Sequence, residues 1–384
     1  MPDVMVVGGG PAGSMSARLL AKGHSVTVLE NHQVSGLPMQ CTGLISPDVI
    51  EESGIRPEVY NSFSRADFHF PNGKVFTLDC GRPVALLIDR SGFDRMLADA
   101  AIDAGAEYRY SEGCSTFYVK DGSVRTISKT GNTYDSKLLI GADGHSSSVR
   151  RAISDFVPEM TVRGMQVDIR KEMDVQDTIQ IVMGNEYAPG FFAWAIPFGE
   201  YTRVGLCCEW SYGTPSQYMG PLFKKLGISD PEVISKSAGK IPLGHLRRTY
   251  SDNVMLVGDA ACQVKPISGG GLYPIMRASK HMCAAAEAAF ERDDFSAASL
   301  SAYQKAWEAD IGKELKRGFK LRRMYNRLSD KDLNGVLKAI DRPFFREIAL
   351  TADIDRPSDL YVRVMKHPLA LMRLFPYLVK GVIG

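Results

Sequence analysis

The sequence predicts an α/β protein: a doubly wound domain around a mostly parallel sheet, an antiparallel β domain inserted into it, and a C-terminal helical region. Three observations lead there. A strand, a glycine-rich turn, a helix and a second strand fill the first thirty residues. Continuous apolar runs return at Lys137 to Ala142 (KLLIGA) and Asn253 to Gly258 (NVMLVG), as expected of strands buried on both faces. Elsewhere, Ala66 to Leu78 and Thr161 to Glu209 alternate with a period of two and are rich in aromatics and turns, which suits an antiparallel sheet.

Taken in order, Asp3 to Val7 is a short apolar strand that ends in glycines. Ser14 to Lys22 reads as a helix with small residues on one face, and Ser25 to Glu30 (SVTVLE) as the second strand, which completes a βαβ unit. Asp94 to Ala104 is a strong helix, Gly271 to Glu291 a long small-residue helix, and the pattern from Asp310 onward is mostly helical. A chain of 384 residues exceeds one small core. The expected division is 1–65, 84–160 and 244–311 for the discontinuous α/β domain, 66–83 and 161–243 for the inserted sheet, and 312–384 for the helical region.

Composition narrows the class. Hydrophobic residues at 45% and charged residues at 23% suit a globular enzyme, and a net charge of +2 offers nucleic acid no general attraction. Seven cysteines (Cys41, Cys80, Cys114, Cys207, Cys208, Cys262 and Cys283) form no CxxC pair, which points to a reducing cytosol and away from zinc. A buried Cys207–Cys262 or Cys262–Cys283 bridge stays open as an alternative. His145 and His281 have no partners at metal-ligand spacing, so no metal is expected. No run of eighteen apolar residues occurs, and the first strand starts at Val4, leaving no room for a transit peptide. The expectation is a cytoplasmic protein, or one touching the inner face of a membrane peripherally.

The strongest motif is Gly8-Gly9-Gly10-Pro11-Ala12-Gly13, a G-x-G-x-x-G turn between a strand and a helix. Gly8 permits the tight turn, Gly10 lets a pyrophosphate approach the backbone, and Gly13 lets helix and strand pack closely. The helix start offers free N–H groups and its positive dipole end to phosphates. Glu30, closing the second strand, is placed to accept hydrogen bonds from a ribose. The ligand is a dinucleotide.

Downstream segments say which one. Gly258-Asp259-Ala260-Ala261, then Pro266 and Gly269-Gly270-Gly271, resembles the second flavin motif of hydroxylase-like FAD enzymes. Gly141-Ala142-Asp143-Gly144, with Ser147 and Arg150, resembles their remaining motif. No second G-x-G-x-x-G unit follows, so a separate nicotinamide domain is not expected. Within that superfamily, Cys41-Thr42-Gly43-Leu44-Ile45-Ser46 resembles the cysteine loop of geranylgeranyl reductases. Ile88-Asp89-Arg90 with Phe93-Asp94 is similar to their arginine segment, and Phe192-Ala193-Trp194-Ala195-Ile196-Pro197 to their aromatic signature. The nearest resemblance is to archaeal digeranylgeranylglycerophospholipid reductases, and it spans the chain to about residue 300. Phe192 and Ile196 depart from that signature, as does Cys-Thr-Gly from Cys-Gly; both bear on the prenyl substrate more than on the chemistry.

The resemblance implies FAD held by Ala12, Glu30, Cys41, Gly43, Arg90, Cys114, Asp259, Gly270, Gly271 and Leu272 beside the glycine turn. It puts Cys114 next to the adenine through its backbone and Cys41 near the isoalloxazine ring. It also implies an isoprenoid lipid substrate and hydride transfer to its C=C bonds. Cys41, or a water it holds, is then the proton donor. Phe192, Trp194 and Pro197 read equally as core of the inserted sheet and as wall of a prenyl pocket. The external electron donor is NAD(P)H, ferredoxin or an F420-type carrier, with no site legible for any. Rival readings are a flavin monooxygenase of an aromatic or polyketide substrate and a non-catalytic prenyl-binding escort. A quinone-linked dehydrogenase would also fit, although iron–sulfur cysteine spacing is lacking. Residues 313 to 327 carry seven cations against Glu314. They read as a solvated helix face or as a contact for anionic lipid, helped by Leu315, Phe319 and Met324. The apolar tail from Leu369 to Ile383, carrying Arg373 and Lys380 and broken by Pro376, reads as a docked helix pair rather than an anchor.

Overall fold

The structure is a computed structural model and describes residues 1–154, 157–350 and 353–383. Its central sheet has the order Tyr250–Ser251, Val254–Leu256, Leu138–Gly141, Val4–Val7, Val26–Leu29 and Glu107–Arg109. All pairings are parallel except that of the edge strand Tyr250–Ser251. The three central strands are buried on both faces, as their unbroken apolar runs require. One face packs against helices Pro11–Leu20, Arg90–Asp103 and Leu272–Arg292. The other is covered by an antiparallel meander of Cys114–Lys120, Ser123–Ser128 and Thr133–Ser136, together with helix Ser148–Ile153.

Helix Arg90–Asp103 begins a turn earlier than its apolar periodicity predicts. Phe93 N–H bonds the Asp89 carbonyl at 2.9 Å, and Arg90 pairs with Asp94 one turn on. Tertiary and i,i+4 contacts thus override the weak helix formers Ser91 and Gly92.

The second sheet has seven strands: Val233–Leu243, Met160–Arg170, Tyr201–Glu209, Ala193–Phe198, Thr178–Val182, Arg65–His69 and Val75–Asp79. Its pairings are antiparallel except that Arg65–His69 runs parallel to Thr178–Val182, since these two arrive from distant parts of the chain. One face carries Val167, Val182, Ala193, Ala195 and Cys208 against helix Ser216–Lys225. The opposite face carries Val162, Ile179, Trp194, Ile196 and Cys207. Cys207 and Cys208 therefore serve opposite faces, and all seven cysteines are free thiols.

Helix Lys313–Asn326 buries Leu315, Phe319 and Arg322, and helices Asp330–Ile340, Pro343–Leu350, Ser358–Met365 and Pro368–Ile383 follow it. No described helix is long and apolar enough to cross a membrane.

Candidate active site

The glycine turn shows three separate demands. Gly8 has φ +102°, and a Cβ there would meet the Ala142 carbonyl oxygen at 2.4 Å. At Gly13 a Cβ would lie 1.8 Å from the Gly8 oxygen, so the helix rests directly on the turn. At Gly10 a Cβ would meet nothing within 4 Å, because that side opens into a cavity. Gly10 caps helix Pro11–Leu20 without a side-chain bond, leaving first-turn N–H groups unclaimed. The Glu30 carboxylate accepts the Gly9 N–H at 2.7 Å and the His32 N–H at 2.8 Å and keeps acceptor capacity at the cavity wall.

Two further turns meet this one at the same end of the sheet. Asp143 accepts from Ser147 Oγ (2.5 Å) and from the Ser148 and Val149 N–H groups (2.6 and 3.2 Å), which fixes the start of helix Ser148–Ile153. The buried Arg150 guanidinium donates to the His145, Asp259 and Ala260 carbonyls, tying the 143–150 turn to the 258–261 turn. The Asp259 side chain lines the cavity and accepts no hydrogen bond from a described residue. Burial pushes its carboxyl up to about 6, against the pull of Arg90 and Arg150. Gly271 starts the 21-residue helix Leu272–Arg292, again without a side-chain cap, and that N-terminus also faces the cavity.

Cys41 lines the same cavity from a loop held by the inserted sheet. Gln166 Nε2 donates to the Cys41 carbonyl at 3.1 Å and its Oε1 accepts from Thr42 Oγ1 at 3.0 Å. Arg203 Nη1 donates to the Thr42 carbonyl at 2.5 Å. Arg203 is itself clamped by Asp168, its cross-strand neighbour, through bonds of 2.7 and 2.9 Å. Gly43 has φ +78°, and a Cβ there would strike the Ile88 carbonyl at 2.8 Å. Arg90 lines the cavity together with Cys41 and pairs with Asp94, whose carboxyl is pushed up by burial. Arg90 Nε and Asp94 Oδ1 are buried without a partner among the described residues, and buried polar atoms of that kind call for one.

From these turns the cavity, about 2080 Å³ in volume, runs past Cys41 into an apolar chamber between the seven-stranded sheet and the C-terminal helices. Phe192, Trp194 and Ile196 share one strand face and all line it, so core and wall are the same surface. Pro197 does not. Strand alternation puts it with Ala193 and Ala195 on the other face, which corrects its expected place in the pocket. Gly13 and Gly43 also lie off the cavity wall, acting through close packing and turn conformation. Cys114 lines the cavity at the start of its strand, and burial pushes its thiol up to about 11. The indole Nε1 of Trp194 is buried and has no partner among the described residues.

The sequence matches the FAD binding domain family over residues 1–277. It is 32% identical over 362 residues to a digeranylgeranylglycerophospholipid reductase of Methanopyrus kandleri, covering 88% of this chain and 90% of the relative. A digeranylgeranylglycerophospholipid reductase of Methanothrix thermoacetophila is 33% identical over 359 residues, with 88% and 91% covered. The chain belongs to this reductase family. Its members are FAD-dependent oxidoreductases, and the two glycine turns with their uncapped helix starts fit that cofactor. A geranylgeranyl bacteriochlorophyll reductase-like protein of Thermoplasma acidophilum superposes with a TM-score of 0.84 at 23% identity, over 98% of this chain and 99% of that one, and shows the shared fold.

Several reductase residues at the cavity were not singled out by sequence reasoning. Lys265, four residues before Gly269, is buried against Asp355 (2.6 Å), which also accepts from Ser46 Oγ. This joins the C-terminal region to both the glycine turn and the strand after Cys41. Arg322 sits in the basic run read as a surface, yet it is buried. It donates to the Pro266 (3.0 Å), Gly190 (3.2 Å) and Ile267 carbonyls and lies 4.0 Å from the Phe191 ring centroid. Burial pulls its pKa down to about 10, so it stays charged at neutral pH. Helical periodicity was the available signal, since Arg322 falls on the stripe of Leu315 and Phe319.

Proposed function

We propose that this chain saturates the C=C bonds of geranylgeranyl chains carried by ether phospholipids of the archaeal type. One observation carries the reading: a single cavity joins the glycine turns, the Cys41 loop and a long apolar chamber. On this reading the Gly8–Gly10 turn and Ala12 hold the pyrophosphate of FAD, Glu30 a ribose, Cys114 the adenine side, and Asp259 and Arg90 the remaining polar edge. Gly270, Gly271 and Leu272 present backbone amides to the flavin ring, and Gly43 shapes the loop that faces it. The reduced flavin, when bound, supplies a hydride.

The protein's own residues do the rest. Phe192 and Trp194 orient the isoprenoid and keep water from it. An isolated trisubstituted alkene is a poor hydride acceptor, so a positioned acid must protonate the other carbon. Cys41 is that acid, with the Arg90 guanidinium placed to face the thiolate left behind. Residues 66–83 and 161–243 form the substrate-facing domain, and 312–384 close the chamber. Electrons come from an external donor, NAD(P)H, ferredoxin or an F420-type carrier, and the protein works at the inner face of a membrane.

Lipids from cells that express the chain beside an unsaturated ether-lipid pathway should gain two hydrogens per double bond by mass spectrometry. Unchanged lipids under reducing conditions would overturn the reading. Cys41→Ala should keep bound flavin and lose alkene reduction; full turnover in that variant removes Cys41 from its role.

A further inference from the structure

Helix Pro368–Ile383 turns the wrong residues outward for a helix that only packs against protein. Leu369, Met372 and Phe375 are 56%, 64% and 59% exposed. At 3.6 residues per turn they fall within an arc of about 120°. The opposite side of the helix carries the buried Ala370 and the half-buried Leu374, which pack with Phe345, Leu360 and Val364. Leu374, Leu360 and Val364 also line the cavity. One helix thus borders the apolar chamber on its inner side and shows large apolar residues to the outside. Met365, just before it, is exposed too. Isolated exposed apolar residues need no account, but a stripe of three on one helix does.

Charge says what covers this stripe. From Leu360 to Ile383 the sequence contains Arg363, Lys366, Arg373 and Lys380 and not one acidic residue. Lys380 is paired with Asp332 of the neighbouring helix, so the exposed Lys366 and Arg373 carry the charge beside the stripe. Helical geometry puts Arg373 at the edge of the apolar arc. Apolar residues bordered by cations fit the boundary between headgroups and acyl chains in a bilayer that carries negative charge. The basic helix Lys313–Asn326 lacks this combination, because Leu315 and Phe319 point into the core. We infer that helix Pro368–Ile383 is the face by which this protein docks on an anionic lipid bilayer, beside the wall of the chamber that takes the isoprenoid chain. The inference rests on the lipid-reducing reading for its purpose, but its test does not.

Co-sedimentation of the flavin-loaded full chain is the experiment, with vesicles of phosphatidylcholine alone and of phosphatidylcholine with phosphatidylglycerol. The wild type should bind the second at least about tenfold better, and added salt should weaken binding. Met372→Glu with Phe375→Glu, both outside the cavity, should cut binding by roughly a hundredfold. The same pair should retain the wild-type rate on a geranylgeranyl lipid dispersed in detergent. Wild type that binds neither vesicle, or a variant that binds like wild type, overturns the docking face. So does a dimer on size exclusion that the variant dissolves, since the stripe then belongs to a second copy. If neither protein reduces the detergent-dispersed lipid, the reductase reading fails, while vesicle binding still decides the docking face.

Discussion

Arg203→Met tests the idea that the inserted sheet, not the α/β domain, positions the Cys41 loop. The Arg203 side chain is only 4% exposed, and Asp168 is 14% exposed. Removing the guanidinium leaves the Asp168 carboxylate with Ser235 Oγ at 2.9 Å as its remaining side-chain donor among the described residues. Breaking a buried pair from one side costs about 3–5 kcal/mol, and the partial exposure of Asp168 places this case near the lower end. The Thr42 carbonyl loses a charged donor as well, worth about 1.5 kcal/mol at the low end. The expected loss is therefore about 4–5 kcal/mol, read from the urea midpoint with an unchanged m-value. Arg203→Met with Asp168→Leu should recover most of that loss, because no charge is left stranded. It should not recover turnover, since the Cys41 loop still lacks its clamp and a misplacement of about 1 Å costs roughly a hundredfold in rate. A double variant restored in both stability and rate would refute the positioning argument. So would a single variant that loses less than about 1 kcal/mol.

Other consequences follow from the same geometry. Gly10→Val should leave flavin-free stability nearly unchanged yet abolish FAD binding, because its side chain enters open cavity; Gly13→Ala should destabilise the fold itself, its Cβ meeting the Gly8 oxygen. Titration of tryptophan fluorescence with FAD and urea unfolding separate the two. The Asp259 carboxyl, raised to about 6, binds its proton more tightly in the folded state than in the unfolded chain. Flavin-free stability should therefore be greatest below about pH 4 for this group and fall by about 3 kcal/mol as pH rises through 6. Asp259→Asn should flatten that fall in urea midpoints measured across the range. Burial pushes the Cys207 and Cys262 thiols up to about 12, so iodoacetamide at neutral pH should modify the half-exposed Cys41 and Cys80 first, as peptide mass mapping would show. Equal labelling of Cys207 or Cys262 in the folded protein would contradict their burial.

What the sequence determined alone was local. The turn at Gly8–Gly13, Asp259 ahead of its glycines, and the apolar runs at 138–141 and 254–256 are legible because a tight turn, a helix start and a strand buried on both faces each demand a residue pattern within a few positions. The alternation from Phe192 to Ile196 is equally local, and it already separates those residues from Pro197 once the parity is followed. What only the tertiary structure decided involves partners far apart in the chain. Arg203 reaches Thr42 across 161 residues, Lys265 meets Asp355 across 90, and Arg322 leaves a basic stretch to bond the Gly190 carbonyl. No spacing rule encodes such pairs, since they depend on how the inserted sheet and the C-terminal helices seat on the α/β domain. The same seating decides which basic helix shows its apolar face. Lys313–Asn326 turns Leu315 and Phe319 inward, and Pro368–Ile383 turns Leu369, Met372 and Phe375 outward. Periodicity marks both helices as amphipathic, but only the packing around them determines which side is left to the solvent.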